Sequence, residues 1–470
     1  MLRRITRSVP RVNVRLFSSA SVRLQAEEWK NLKAPKHDYK GKISGIGQET
    51  IIREAIQRQL PEDTISRLEG LETAYQQYRE CNQNYDEARS KQRKVSDAIK
   101  VAKDKKALAQ EASEAKSIMR AMELKQREAT ATLNSLMELV PNVIHSTVPQ
   151  GDDVEVLEIL NPDRQYKSDL GHYEIGHSLN LLDTKTSANT SGYGWYYLLG
   201  QGAQLEQALV AYVLDKARAS GWMTVAPPTI IRKSVAHACG FKPRDIGGEK
   251  QIYAIEDQDH CLAGTAEIPL AAWAADKSFK YTSDPVKVSG VSRSYRAEAG
   301  ARGADTKGLY RVHEFTKVEL FAWTISPESA DAILEDMLAF QKSVVVDLGL
   351  KARVLNMPAY ELGYPAAKKY DIEAWLPGRG DWGEITSTSN CLDYQSRRLH
   401  TTFKLKDTKK VYAQTLNGTA LAVPRVIAAI CESNYDPESQ TISVPEVLQK
   451  YMGGITTIGA QDNCDVFASS

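Results

Sequence analysis

The chain has 470 residues, of which 42% are hydrophobic and 25% charged, and this length predicts a soluble protein with about two folded units. Its formal net charge of +1 excludes a uniformly basic nucleic-acid-binding surface, so any RNA or DNA contact requires a local patch. The six cysteines lack a Cys-x-x-Cys pair, which favours a reducing compartment and predicts no zinc site, and no apolar run approaches the ~20 residues that span a membrane.

Residues 1–26 predict a mitochondrial presequence. They contain six arginines, several serines and no acidic residue, which is the composition of a transit peptide. Arg15-Leu-Phe17 followed by Ser18-Ser19 resembles a processing site, so we expect a mature chain that begins near Ser18 and is located in the mitochondrial matrix. A disordered basic arm that binds RNA is the alternative.

Residues 62–140 predict two long helices that form an arm. The segment holds one glycine and no proline, and its apolar residues recur every three or four positions. The first pattern runs from Ile65 to Ile99 and the second from Leu108 to Val140, with polar Gln126 inside it. The polar stretch at 101–106 has room only for a turn, so we expect an antiparallel two-helix coiled coil whose helices of ~30 residues project ~50 Å.

The turn end of this arm is basic, which suits contact with a phosphate backbone. Only Asp97 and Asp104 oppose its positive charges. A charged run on a helical hairpin is more often a solvated face than a binding site, so the context has to decide. The basic residues are Lys91, Arg93, Lys94, Lys100, Lys103, Lys105 and Lys106.

Prolines and glycines after residue 140 mark the start of a second domain. A helix over Ala203 to Ala219 is expected to open this domain, and short strands with interspersed helices continue to about Glu432. The pattern predicts an α+β fold around a mostly antiparallel sheet. Neither Gly-x-x-x-x-Gly-Lys-Ser/Thr nor Gly-x-Gly-x-x-Gly is present, so a P-loop or Rossmann nucleotide site is not predicted.

A predicted β-hairpin carries the densest set of functional residue types. We place its strands at about Val286 to Glu298 and Arg311 to Phe321, joined by a glycine-containing mobile loop. Arg296 and Glu298 share a face of the first strand. In the second strand Val312, Val318 and Leu320 are expected to face the core, and the opposite, functional face holds Arg311, His313, Phe315, Lys317, Glu319 and Phe321. A solvated hairpin explains any one of these residues, but not the aligned set.

Two later segments predict ligands for phosphates and magnesium. Gly383 to Asn390 is expected to form a strand with Glu384 and Thr386 on one face, and such carboxylate and hydroxyl oxygens bind magnesium. Asn417 to Arg425 is typical of a strand-to-helix junction. A guanidinium near a helix N-terminus suits a polyphosphate, although each segment alone could be an ordinary surface feature.

Together these motifs resemble those of the class II aminoacyl-tRNA synthetases. Arg296 and Glu298 on one strand, Phe315 and Glu319 on the returning strand, and Arg425 at a late helix start look like motifs 2 and 3 of that class. The resemblance implies an antiparallel sheet flanked by helices, with the N-terminal helical arm as an added element.

Within the class the chain resembles the seryl-tRNA synthetases of the mitochondrial type, over nearly all residues after about 40. The segment ending at Pro228 resembles motif 1, which implies a homodimer. The matching signatures are Thr265-Ala-Glu267, Arg311-Val-His-x-Phe-x-Lys-Val-Glu319, Glu384-Ile-Thr-Ser387, and Asn390-Cys391 with Gln395-x-Arg397-Arg398. Motif 2 has Ala297 where the family more often has serine, and such changes resemble those in organellar members.

This resemblance implies a division of the chain into a presequence at 1–26, a tRNA-binding domain at 27–140 whose helical arm lies at about 62–140, and a catalytic domain at 141–470. In this family the arm reaches the long variable arm of tRNA(Ser), so the basic turn end is expected to bind that tRNA. The implied reaction ligates L-serine to tRNA(Ser) through a seryl-adenylate, with ATP and Mg²⁺ and without zinc.

The resemblance also implies residue roles, with Arg296 and Arg425 as the catalytic residues. Arg296 would hold the α-phosphate and the serine carboxylate, and Arg425 the terminal phosphate. Phe315 would stack on adenine and Glu298 would contact its amino edge, while Glu384 and Ser387 would bind magnesium. The full ATP set is Arg296, Ala297, Glu298, Val312, Phe315, Glu384, Ile385, Thr386, Ser387 and Arg425. The serine set is Thr265, Ala266, Glu267, Arg296, Glu319, Asn417 and Thr419.

Alternatives from other classes of function remain open. An inactive synthetase paralogue would keep the fold as a dimeric tRNA-binding or regulatory protein, although both motif arginines are present. A coiled-coil interaction protein would explain 62–140 but not the polar face of the hairpin. Synthetases for other amino acids would share Arg296 and Arg425, but would not be expected to combine this arm with Thr265-Ala-Glu267.

Overall fold

The computed structural model describes residues 33–101, 106–241, 251–298 and 308–460. These residues divide into two compact units, of which the first comprises His37–Ile56 and Leu60–Pro141, and the second comprises residues 33–36, Gln57–Gln59 and 142–460. The predicted presequence, the loop residues 299–307, and Lys103 and Lys105 lie outside the described residues. In the described ranges, no helix is both long and apolar enough to cross a membrane.

The first unit is helical. A π-helical turn at Lys40–Ile46 precedes α1 (Gln48–Gln57), α2 (Glu62–Leu68), α3 (Leu71–Val101) and α4 (Lys106–Met137). The continuous pattern from Ile65 predicts one helix, but the structure has two, because the chain is interrupted between Leu68 and Leu71. Gly70 lies in that interruption, and glycine loses more conformational freedom in a helix than any other residue.

Long helices α3 and α4 pack against each other and confirm the predicted two-helix arm. Only four residues separate them, so helices packed side by side must run in opposite directions. Val95 and Ala115 are buried in the contact. Polar Gln126 interrupts the apolar stripe, but its side-chain amide has a hydrogen-bond partner. Its Nε2 donates to Oδ1 of Asn82 on the other helix at 2.9 Å.

The second unit mixes strands and helices. Its first elements are β1 (Glu155–Leu160), α5 (His172–Ser178), β2 (Leu182–Asp183), α6 (Lys185–Thr190), β3 (Tyr197–Leu198), α7 (Gly200–Ala219), β4 (Met223–Val225), β5 (Ile230–Arg232), α8 (Lys233–Ala238), β6 (His260–Leu262), α9 (Glu267–Trp273), β7 (Ser278–Lys280), β8 (Val286–Tyr295) and β9 (Glu314–Thr324). The helix predicted to open the domain, α7, is therefore preceded by five shorter elements.

The remaining elements of this unit follow β9. They are α10 (Pro327–Asp347), β10 (Ala352–Asn356), β11 (Lys368–Leu376), β12 (Asp381–Leu392), α11 (Tyr394–Leu399), β13 (Thr402–Lys404), β14 (Lys410–Tyr412), β15 (Gln414–Ala422), α12 (Val423–Asn434), β16 (Tyr435–Asp436), β17 (Thr441–Ser443), α13 (Glu446–Gln449) and β18 (Thr457–Gly459). Short 3-10 helices lie at Tyr281–Ser283, Ala359–Glu361 and Lys450–Met452.

The largest sheet in the described ranges has the strand order β1-β10-β11-β12-β15-β9-β8-β4. Every pair in it is antiparallel except β4 with β8, which confirms the predicted mostly antiparallel sheet. Side chains of α7, α10 and α12 pack with Val318 and Leu320 of β9 in the main core. This packing holds the sheet in place, so that side chains distant in sequence can lie close together on it.

Strand β9 differs from its prediction, because both of its faces are covered. Val318 and Leu320 face the main core as expected, but Val312, predicted to lie on the same face, precedes the strand and lines the cleft described below. Phe321, which was predicted to lie on the functional face, is fully buried in an aromatic cluster with Trp323 and Phe279. The ring centre of Trp323 lies 4.7 Å from that of Phe321 and 5.4 Å from that of Phe279. The functional part of this face therefore ends at Glu319.

Strand β8 is shorter than predicted and ends at Tyr295. The backbone N–H of Arg296 still donates to the carbonyl of His313, at 2.9 Å. Glu298 then adopts φ = 44°, a left-handed conformation that turns the chain out of the sheet. The two residues lie beyond the strand and not on its face, although both line the cleft described below.

Candidate active site

A cleft lies over three neighbouring strands of the sheet, β12, β15 and β9, and beside the end of β8. It gathers residues from the end of the hairpin, from β12 and from the junction between β15 and α12. The lining residues are Arg296, Glu298, Tyr310, Arg311, Val312, Phe315, Lys317, Glu384, Ser387, Thr419, Ala422, Pro424 and Arg425. The predicted residues Ala297, Ile385 and Thr386 do not line it.

Arg296 forms one wall of this cleft. Its guanidinium carbon lies 5.3 Å from the centre of the Phe315 ring, and its Nε donates to the carbonyl of Gly264 at 3.5 Å. Burial lowers the pKa of Arg296, and the nearby charge of Arg425 lowers it further. Two guanidinium groups that repel each other in a shared cleft favour the binding of a polyanion there.

Arg425 projects from the first turn of α12, as the strand-to-helix junction predicts. Its Nε donates to the carbonyl of Tyr310 at 3.1 Å, and its guanidinium carbon lies 4.8 Å from that ring's centre. Its Nη1 pairs with Oε1 of Glu384 at 3.0 Å. Burial opposes ionisation of Glu384, but Arg425, Lys369 and Arg296 outweigh it and lower its pKa to about 2.

A β-bulge in β12 decides which of its residues face the cleft. Ile372 pairs with Thr386 while the next residue, Glu373, pairs with Glu384, so Ile385 is the extra residue. The prediction that Glu384 and Thr386 share a face is therefore wrong. Ile385 lies in the core, and the Thr386 hydroxyl donates to the carbonyl of Thr419. Glu384 and Ser387, three positions apart, face the cleft together.

Residues predicted to bind the substrate serine, together with Lys317, form a buried network beside the cleft. Oγ1 of Thr265 donates to Oε2 of Glu319 at 3.0 Å. Nζ of Lys317 donates to the same Thr265 oxygen at 3.1 Å and lies 2.6 Å from Oε2 of Glu319. The Lys317 and Glu319 side chains are 9% and 1% exposed, so this pair is fixed in place and shielded from water.

Glu267 lies behind this network. Its Oε1 accepts hydrogen bonds from Nε2 of Gln395 at 2.7 Å and Nδ2 of Asn417 at 3.0 Å. Burial raises the pKa of Glu267 to about 7, and the charge of Glu319 adds to the effect, while Lys317 opposes it. Glu267, Asn417 and the buried Ala266 are outside the cleft lining, whereas Thr419 is part of it.

Lys317 and Tyr310 are among the cleft residues for which the sequence predicts no ligand. Lys317 alternates with Phe315 and Glu319 along β9, so the period-2 pattern was a usable signal for it. Tyr310 lies just after the loop and before β9, where no periodicity exists. Its importance rests on contacts with Arg425 and with the Glu384 carbonyl at 3.5 Å, which are visible only in three dimensions.

A second cavity adjoins the cleft and shares Glu298 and Arg311 with it. Trp195 stacks on His313 with ring centres 5.7 Å apart, and Tyr193 is 92% exposed. The complete lining is Tyr173, Thr184, Lys185, Ala188, Asn189, Tyr193, Gly194, Trp195, Glu298, Gly308, Arg311 and His313.

The described part of the basic arm end is exposed. Lys91, Arg93, Lys94 and Lys100 lie on α3 with their side chains in solvent. Lys100 pairs with Asp97 at 2.7 Å, an exposed contact of little energetic weight. For Lys106, the structure describes only the helical backbone.

Comparisons with known proteins identify the family. The chain matches the seryl-tRNA synthetase N-terminal domain over residues 49–144 and the tRNA synthetase class II core domain (G, H, P, S and T) over residues 253–434. It is 46% identical to the mitochondrial serine–tRNA ligase of Saccharomyces cerevisiae, over 90% of this chain and 96% of that one. It is 45% identical to the mitochondrial serine–tRNA ligase of Schizosaccharomyces pombe, over 72% and 73%.

A solved structure agrees with these matches. The fold is similar to that of seryl-tRNA synthetase from Pyrococcus horikoshii complexed with ATP, with a TM-score of 0.81, 30% identity, and coverage of 90% of this chain and 99% of that one. The predicted fold class and family are thereby confirmed: the chain belongs to the seryl-tRNA synthetases, a family of class II aminoacyl-tRNA synthetases.

Proposed function

We propose that this chain is an ATP-dependent serine–tRNA ligase of mitochondria, which joins L-serine to tRNA(Ser) through a seryl-adenylate. One observation carries the proposal. Arg296 and Arg425, distant in sequence, meet in one cleft beside the buried network of Thr265, Lys317 and Glu319. Both fungal relatives are named as mitochondrial serine–tRNA ligases, which supports it.

In the first half-reaction a serine carboxylate oxygen attacks the α-phosphorus of ATP. The bond from that phosphorus to the bridging oxygen breaks, and pyrophosphate leaves with the electron pair. Because the substrate supplies the nucleophile, the protein has to position the reactants and stabilise charge. Arg296 would hold the α-phosphate and the serine carboxylate, and Arg425 would hold the terminal phosphate.

The remaining ATP contacts follow from the cleft lining. Phe315 would stack on adenine, Glu298 would contact its amino edge and Val312 would pack beside it. Glu384, ionised by its basic neighbours, and the hydroxyl of Ser387 face the same space. They suit the magnesium that accompanies ATP, which takes one or two protein oxygens beside phosphate and water and neutralises phosphate charge.

The serine pocket is the buried network. A carboxylate at Glu319 suits the serine ammonium, and the hydroxyls of Thr265 and Thr419 suit its side chain. A site built to hydrogen-bond a hydroxyl rejects alanine strongly, because its polar groups would be left unpaired. Threonine must be excluded by steric contact, since an added methyl group is worth only ~1–3 kcal/mol in a hydrophobic pocket.

In the second half-reaction a ribose hydroxyl at the tRNA 3′ end takes the seryl group, and AMP leaves. That end must reach the adenylate, and the adjoining cavity offers the space. Its exposed Tyr193 and the indole of Trp195 suit stacking with unpaired bases, and Lys185 suits a phosphate. The basic end of the arm would bind tRNA(Ser) by its backbone shape.

A homodimer is also part of the proposal. Strand β4 forms one edge of the large sheet, and the segment beside it contains Pro228. Met223 and Ile230, which flank this segment, are 48% and 53% exposed. Apolar side chains exposed at a sheet edge favour pairing with a second copy, and sedimentation velocity would test it.

The domain boundaries and the leader complete the proposal. Residues 1–26 would direct import into the mitochondrial matrix, 27–140 would bind tRNA and 141–470 would catalyse. Import of a reporter fused to residues 1–30 tests the leader, and a purely cytosolic signal would contradict it.

The deciding experiment is ATP–pyrophosphate exchange with the chain from Ser18 onward, in which serine, threonine, alanine and glycine are compared. We expect exchange with serine alone. A folded protein that shows no exchange with any of the four amino acids would contradict the proposed activity.

A further inference from the structure

A buried histidine–glutamate pair lies outside the cleft, behind the wall that carries Tyr310. His172 is the first residue of α5, and Glu432 lies in the last turn of α12. Nδ1 of His172 is 2.7 Å from Oε1 of Glu432, and the side chains are only 11% and 2% exposed. Neither residue lines the cleft, so neither is placed to touch a substrate.

The hydrogen bonds of this pair link three separate segments. The Glu432 carboxylate accepts from the backbone N–H of His172 at 3.0 Å, from its Nδ1 and from the N–H of Gly378 at 3.0 Å. On the other side of the ring, Nε2 of His172 accepts from the backbone N–H of Leu309 at 3.1 Å. A backbone N–H can only donate, so Nε2 is unprotonated and Nδ1 carries the proton.

Close contact at Gly308 fixes this arrangement further. A Cβ atom added to Gly308 would lie 2.4 Å from Nε2 of His172, and the glycine has φ = +72°. Both the space and the backbone conformation therefore require glycine. The chain reaches the cleft two residues later, at Tyr310.

Tyr310 connects this pair to the site. Its carbonyl and its ring both contact Arg425, as described above. Arg425 lies seven residues before Glu432 on α12, about two helical turns away. Glu432 also holds Gly378, whose neighbour Arg379 lies 5.1 Å from the centre of the Tyr310 ring. The contacts thus form a closed circuit from Arg425 through Tyr310, Leu309 and His172 to Glu432.

We propose that His172 and Glu432 are positioning residues for the first half-reaction, which hold Tyr310 so that Arg425 is aimed at the terminal phosphate of ATP. This rests on the proposed function, because it assumes that the cleft binds ATP. The loss of the His172 acceptor frees the Leu309 backbone, and Tyr310 then no longer supports the guanidinium.

A matched pair of variants tests this proposal. The amide of asparagine reaches the position of Nδ1, and that of glutamine reaches the position of Nε2. His172→Gln keeps an acceptor for Leu309, whereas His172→Asn keeps only the contact with Glu432. In pyrophosphate exchange we expect His172→Asn to raise the KM for ATP about tenfold and leave the KM for serine unchanged, and His172→Gln to stay within about twofold.

A double variant separates positioning from general destabilisation. If His172 acts through Tyr310, then His172→Asn combined with Tyr310→Leu should be no worse for the ATP KM than Tyr310→Leu alone. His177→Asn, on the same short helix, is the control and should leave both KM values unchanged, since His177 contacts Thr184 and Tyr173 instead.

Three results would contradict the positioning role of His172. Equal effects of the Asn and Gln variants, parallel rises in the serine and ATP KM values, or additive effects in the double variant would each do so. The wild-type protein is measured first. If it shows no serine-dependent exchange, the proposed function itself is contradicted, and this result is distinct from a failure of the positioning role.

Discussion

We call the part of the cleft proposed to bind ATP the ATP side, and the buried network proposed to bind serine the serine side. The two sides differ in the contacts of their charged side chains. On the ATP side Arg425 is paired with Glu384, and Arg296 lies over Phe315, so ATP bound as proposed would replace these contacts with contacts to phosphate and adenine. On the serine side Lys317 and Glu319 form an almost fully buried pair, so serine bound as proposed would require little rearrangement. Under this proposal the ATP side suits a large charge that binds and is released, and the serine side suits discrimination between amino acids.

The sharpest test of the ATP side is Arg425→Ala. Because a cation that holds the terminal phosphate stabilises the negative charge that develops on the leaving pyrophosphate in the transition state, we expect the kcat of pyrophosphate exchange to fall by about 10²–10³-fold. Arg353→Ala is the matched control, since Arg353 pairs with Glu373 away from the cleft. Retention of wild-type kcat in Arg425→Ala would remove the basis for the comparison.

On the serine side, Glu319→Gln should act on one substrate only. The substitution keeps the shape but removes the charge that balances Lys317, and we expect the KM for serine to rise about 100-fold with the KM for ATP unchanged. Glu314→Gln, at the start of the same strand, is the control. A similar rise in both KM values would show that the two sides are not independent.

Substitutions in the helical arm should change neither ATP binding nor serine binding. We expect the triple variant Lys91→Ala, Arg93→Ala and Lys94→Ala to raise the KM for tRNA about tenfold in charging, through lost phosphate contacts. Pyrophosphate exchange should remain unchanged. An equal fall in exchange would instead assign the arm a structural role. Lys116→Ala with Lys125→Ala, exposed on α4 farther from the turn, serves as the control for charge.

Glu267→Gln should give the smallest effect, a pH dependence of stability. The folded pKa of Glu267 is about 7 against an ordinary value of 4.5, so the folded state keeps a proton that the unfolded chain releases, and this group's contribution to stability falls between those pH values. Glutamine does not titrate. We therefore expect the variant's Tm to exceed that of the wild type by a few degrees near pH 8, and the advantage to disappear near pH 5.

Thermal unfolding monitored by circular dichroism from pH 5 to pH 8 checks this. A Tm difference that is constant across the range would mean that Glu267 keeps its ordinary pKa in the folded protein.

Much of the fold and site could be predicted because the signals are local. The period-3 and period-4 apolar pattern gave the arm, and residue types with fixed spacing gave Arg296, Phe315 and Glu319. Similarly, the proline after β15 marked the helix that carries Arg425. Each of these depends on a short segment and its own backbone geometry.

What could not be predicted depends on contacts between distant segments. The bulge at Ile385 lies inside a strand whose residues otherwise alternate, so strict alternation predicted the wrong partner for Glu384. The covered face of Phe321 depends on Phe279 and Trp323, and the role of Tyr310 depends on a helix that starts more than 100 residues later. No periodicity in one strand can reveal what a different part of the chain packs against it.

The two helices of the arm are nearly equal in length, 31 and 32 residues. Seven residues are close to two full turns, so the removal of seven from each helix would return every remaining side chain almost to its original face. Each such paired deletion would retract the end of the arm by ~10 Å. A graded set of shortened arms would therefore measure how far from the base of the helices the proposed RNA contact lies.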